Sequence, residues 1–224
     1  AASTSSTAAR PDGPAADVSE EITGTTPPFI GTANRTLGEG YAEHEFVAAG
    51  TATSYKAKGP LAENGRWTLV PDASADYRTR VLVRAPEDDA DFSGNVLVEW
   101  LNVSGGVDAG PDGDSTHEEI VRSGDAWIGV SAQRIGVRGG PVLVSVGAAE
   151  GIAGKGLVKI DPERYGSLDH PGDGFAYDIF TQVARAARNG GEFLGGPDRT
   201  AGHVIAMGES QSAIALVTYI DGVQ

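Results

Sequence analysis

Cysteine is absent from all 224 residues, and methionine occurs once, at Met207. The first absence excludes disulfides, thiolate metal centres, cysteine nucleophiles and iron–sulfur clusters. No run of 18 apolar residues occurs, so no segment reads as a membrane-spanning helix. Positive charge is scarce: 17 Lys and Arg against 31 Asp and Glu leave a net charge of -14. That balance argues against a nucleic-acid or anionic-membrane partner, because such binding rests on Lys and Arg meeting phosphate. What remains is a chain of 40% hydrophobic residues, long enough for a real core, with an acidic composition that favours solubility.

Large apolar residues are also scarce between Ala1 and Pro28, a stretch rich in Ala, Ser, Thr and Pro. It reads as a flexible tether over residues 1–28, a feature of exported proteins, so a secreted or extracytoplasmic location is expected. Residues 29–224 read as one domain, with no internal repeat and no second linker. Tyr41–Tyr55 and Thr79–Arg84 alternate as strands, and Asn95–Leu101 is the continuous apolar run of a strand covered on both faces. Ser115 with Glu118 three residues on predicts a helix start, and Gly124 its end. Ala126–Ala132 reads as a strand, and residues 134–172 as a long Gly- and Pro-rich loop of the kind that forms lids. Asp173–Asn189 has helical apolar spacing, His203–Met207 reads as a buried strand, and Gln211–Ile220 as a last helix. Alternating strands and helices predict an α/β fold: a mostly parallel sheet with helices on both faces and ligands at the carboxyl ends of the strands.

Gly208-Glu209-Ser210-Gln211-Ser212 stands between a predicted strand and a predicted helix. A nucleophile elbow needs small residues two before and two after its serine, so that strand and helix can approach. Gly208 and Ser212 meet that need, although the usual pattern has glycine at both places. The Ser210 hydroxyl would project at a helix N-terminus, with the N–H of Gln211 as one oxyanion donor. A second N–H is expected from Asn102 or Val103, at the start of the loop Asn102-Val103-Ser104-Gly105-Gly106.

Three runs carry a family resemblance: Leu97 to Gly106 (LVEWLNVSGG), Asp161 to Gly174 (DPERYGSLDHPGDG) and Gly208 to Ser212. The chain from about Tyr41 onward resembles a bacterial family of large alpha/beta-hydrolase-domain proteins. The resemblance implies an α/β-hydrolase fold, carboxylic-ester hydrolysis with Ser210 as nucleophile, and a longer polypeptide. It implies no particular substrate.

His203 opens the strand leading to the elbow and lies on the order of 20 Å from Ser210, too far for a base. His44 belongs to an outlying strand. His117 and His170 fall at the strand-end edge, and His170 reads first as a loop histidine bonded to backbone groups. With Ser104, Glu209 and Tyr165, it is also a candidate to line a substrate pocket. Glu209 itself reads as a structural neighbour of the nucleophile, not a base. Asp108, Asp112 and Asp114 do not match a calcium-loop spacing and read as a solvated loop. Gly151–Gly156 lacks the full glycine spacing of a phosphate loop and the hydroxyl residue after Lys155.

The reading is a serine hydrolase acting on a small-molecule ester, with no cofactor and no metal. Its rival is a non-catalytic protein that holds a ligand on the same scaffold. In the α/β-hydrolase order the acid and the histidine follow the nucleophile, yet only one helix follows Ser210, and Asp221 lies about 15 Å along it. The expectation is that these residues are the N-terminal portion of the domain. The remainder of the same protein, as a continuation or a second chain, would then supply histidine and acid and flank His203–Met207, making it a central strand. Residues 1–224 alone would be poorly soluble and inactive.

Overall fold

In the computed structural model, residues 13–31 and 37–223 are described. Six strands form one sheet: β1 (Asp17–Glu21), β2 (Tyr41–Ala57), β3 (Leu69–Pro86), β4 (Asn95–Trp100), β5 (Ala126–Val130) and β6 (His203–Met207), ordered β1-β2-β3-β5-β4-β6. Helices α1 (Pro111–Ser115) and α2 (His117–Ser123) separate β4 from β5. Helices α3 (Arg134–Arg138), α4 (Leu157–Ile160), α5 (Pro162–Tyr165) and α6 (Ala176–Asn189) separate β5 from β6, and α7 (Gln211–Gly222) follows β6.

The sheet is mixed. β1, β2, β3 and β5 pair antiparallel, while β4 is parallel to both β5 and β6. The parallel part is thus confined to the half that carries the site, while β2 and β3 form a long antiparallel pair joined by residues 58–68. β3 begins ten residues earlier than Thr79, at Leu69, where its mostly exposed residues hide the alternation.

Strand alternation divides two cores. Val81, Val83, Val96, Val98, Trp100, Ile128 and Val130 face α6 and α7, while Leu82, Leu97, Trp127 and Met207 face α2. On α6, Ala176, Ile179, Phe180, Val183 and Ala187 are buried at spacings of three and four, each large side chain contributing about 1.5–3 kcal/mol. Gly190 ends the helix at φ 72.

Several expectations change. Residues 13–28, expected to be a tether, contain β1, and the Ala16 N–H donates to Gln182 O at 2.9 Å. β1 is polar and almost wholly exposed on the sheet edge, so it leaves no apolar signature; residues 1–12 of the expected tether lie outside those described. Ser115 is not a helix start. The chain turns helical at Pro111, because Glu99 on β4 accepts from the N–H groups of Asp112 and Gly113 and caps α1 from another strand. The 134–172 segment is a long loop that carries α3, α4, α5 and a single 3-10 turn at Gly147–Ala149.

The site is placed by connectivity. From β4 the chain moves to one side, to β5, then returns past β4 to β6. The carboxyl ends of β4 and β6 flank the point where strand order reverses, where a crevice opens in α/β sheets. Among the described strands β6 occupies an edge, not a central position, with Ile205 half exposed.

Candidate active site

The turn after β6 is tight. A Cβ at Gly208 would come within 3.2 Å of the Ser212 carbonyl group, and 3.1 Å of Leu216 Cδ1. Ser212 is fully buried; its hydroxyl accepts from Glu209 N–H at 3.0 Å and donates to Glu209 O at 2.8 Å. Where glycine would merely fit, serine staples the turn. Ser210 caps α7 with φ 57 and ψ -116, the only positive φ outside glycine among the described residues, and it is solvent-exposed. Such a conformation costs about 1–3 kcal/mol, and persists because Gly208 and Ser212 lock both sides of it.

Beside the elbow lies the loop after β4. Asn102 exchanges both backbone hydrogen bonds with Ala109, its carboxamide donates to Glu209 O at 3.0 Å, and its Oδ1 accepts from Ser104 N–H at 2.8 Å. The Asn102 N–H is therefore engaged by Ala109 O. The N–H groups of Val103 and Gln211 have no partner among the described residues. A 240 Å³ cavity brings together Asn102, Ser104, Glu209 and Ser210, with Val107, Val144, Val146 and Ala149 in its wall. A 530 Å³ groove between α6 and α7 does not include Ser210.

The loop rests on a buried ionic network that sequence reading missed. Asp108, expected to be solvated, is buried: it accepts from Arg80 at 2.8 Å and from the Ser131 hydroxyl. Arg80 also bonds Glu45 and Phe29 O, and Glu45 accepts from Arg164 and Tyr165. Burial disfavours the Arg80 charge, but Asp108 and Glu45 outweigh it and hold the guanidinium protonated. The pairing of β2 with β3 brings Glu45 to Arg80, and the loop after β4 brings Asp108. The helix start after Gly110 is similarly tuned. Burial pushes Glu99 up to about 7 against the N–H groups of Gly113, Trp127 and Asp112, while burial and the charge of Glu209 raise Asp112.

Tyr165 and His170 do not line the Ser210 cavity. The Tyr165 hydroxyl donates to Glu45 and accepts from Phe29 N–H. His170 is buried with Nε2 at 2.8 Å from Ala132 O and Nδ1 accepting from Gly172 N–H, and burial lowers its pKa, favouring the neutral ring. His44 pairs with Glu21, and His203 lies 3.2 Å from Asn95 Oδ1 at the far end of β6. Among the described residues no histidine bonds to Ser210, and no cluster of three metal-ligating side chains occurs. No described helix is long and apolar enough to cross a membrane.

Comparison with curated proteins and with solved structures returns no match. The family model described as alpha/beta hydrolase domain matches residues 12–224, and the chain belongs to that family.

Proposed function

We propose that the protein is a serine hydrolase that cleaves carboxylic esters through an acyl-enzyme on Ser210. The observation that carries this is the strained, exposed Ser210 at the head of α7, inside a cavity and next to the unclaimed N–H of Gln211. Family membership supports hydrolysis in general. In the reaction Ser210 Oγ attacks the ester carbonyl, the carbonyl oxygen takes negative charge beside the N–H groups of Gln211 and Val103, and the alcohol leaves. Water then attacks the acyl-serine and releases the acid. Among the described residues no histidine bonds Ser210. Asn102, Ser104 and Glu209 frame the cavity, Asn102 by holding the loop against the elbow.

The test is labelling of the native protein with a small fluorophosphonate, followed by peptide mapping. A single phosphonyl group on Ser210 is expected, with turnover of p-nitrophenyl esters. A protein that binds esters without being labelled would favour the second reading, a non-catalytic binder.

A further inference from the structure

The middle of the 134–172 segment is fastened to the loop after β4. Leu143 and Val144 both donate backbone N–H to Ser104 O at 2.9 Å, and Gly154 N–H donates to Gly106 O at 2.8 Å. Gly105 and Gly106 allow this approach: a Cβ would meet Val146 Cγ2 at 3.2 Å in the first case and Val142 Cγ2 at 2.8 Å in the second. The fastening sets Val144, Val146 and Ala149 into the wall of the cavity that holds Ser210. Around it, Val142, Leu143, Val144 and Val146 are 44%, 67%, 55% and 44% exposed. Scattered exposed aliphatics are ordinary, but four within five positions at the rim of a cleft mark a binding surface.

The charge of the cavity narrows the ligand. Among the described residues Glu209 is the one ionisable side chain in its wall, with no Lys, Arg or His lining it. A carboxylate or phosphate there would meet the like charge of Glu209, whereas a neutral aliphatic arm would meet Val107, Val144, Val146 and Ala149. At roughly the 30 Å³ of a water-sized group, 240 Å³ holds about eight non-hydrogen atoms.

We propose that the 142–149 segment, laid on Gly105 and Gly106, is the subsite for the aliphatic arm of a neutral ester, with six to eight carbons filling it. This rests on the reading of Ser210 as nucleophile. Either the acyl or the alcohol side of the ester presents such an arm.

Two series separate them in the native protein: p-nitrophenyl esters lengthened on the acyl side from two to twelve carbons, and acetate esters lengthened on the alcohol side. In one series kcat/KM is expected to rise about threefold to fourfold per methylene and level off at six to eight carbons. Val146→Asp, at a half-exposed position, should reduce kcat/KM for the eight-carbon ester at least tenfold more than for the acetyl ester, and Val146→Leu should not. Flat dependence in both series, or an equal loss on long and short esters, overturns the subsite. If fluorophosphonate does not label Ser210, the nucleophile reading fails, and the subsite is read by binding of neutral methyl ketones of four to ten carbons to the Ser210→Ala protein. Affinity climbing with length and lost in Val146→Asp sustains it; no binding at any length overturns it.

Discussion

The side-chain amide of Asn102 donates to the carbonyl of Glu209 at 3.0 Å, joining the end of β4 to the end of β6 across 107 residues of sequence. That bond sets the spacing between the loop that offers the Val103 N–H and the turn that offers Ser210. The same side chain accepts from Ser104 N–H, so one residue holds its own loop and the neighbouring elbow in register. Asn102→Ala is expected to lower stability by about 2 kcal/mol, one net hydrogen bond on each side. It should also reduce kcat while leaving the Ser210 label in place. Urea unfolding and steady-state kinetics check both, and unchanged kcat would show that the elbow keeps its position without the bond.

Ser210→Ala should remove nearly all ester turnover in the native protein, by about a thousandfold or more, with an unchanged circular-dichroism spectrum. Ser210→Gly removes the strain as well as the hydroxyl and should raise stability by about 1 kcal/mol, since glycine adopts φ 57 freely. A variant that keeps wild-type turnover ends the nucleophile assignment, and a destabilised Ser210→Gly ends the strain argument.

Glu99 links stability to pH. Its folded pKa of about 7 lies above the ordinary 4.5, so the native state holds its proton more tightly than the unfolded chain. The resulting stabilisation is complete below about pH 4.5 and is lost as pH rises through 7, a fall of up to about 3 kcal/mol. Glu99→Gln replaces one acceptor with a donor facing the α1 N–H groups and should start less stable. Its unfolding free energy should nevertheless lose the Glu99 component of the slope between pH 5 and 8. A variant with the wild-type slope would assign that slope to another group.

Arg80→Met leaves Asp108 and Glu45 buried with one cation fewer, and is expected to cost about 3–5 kcal/mol. Arg80→Met combined with Asp108→Leu should recover part of that loss, because Glu45 still has Arg164. Chemical denaturation of the pair checks this. A double variant as unstable as the sum of its singles would show that the network stabilises by packing and not by charge.

Local chemistry made some features legible in the sequence. The spacing Gly208-Glu209-Ser210-Gln211-Ser212 between an apolar strand and an apolar helix has few steric solutions, and α6 announces itself because its buried residues recur at helical intervals. β4 and β5 were equally visible as continuous apolar runs, since both faces of each are covered. Other features depended on partners remote in the chain. β1 is polar because it lies on an edge, α1 starts where Glu99 caps it, and Asp108 is buried only because Arg80 arrives from β3. The Asn102 N–H is engaged by a single bond to Ala109 O that no local pattern encodes. Periodicity records how one segment meets water and core. Which charged side chains are buried together, and which backbone groups near Ser210 are engaged, follows from strand order and register, and those exist only once the sheet has formed.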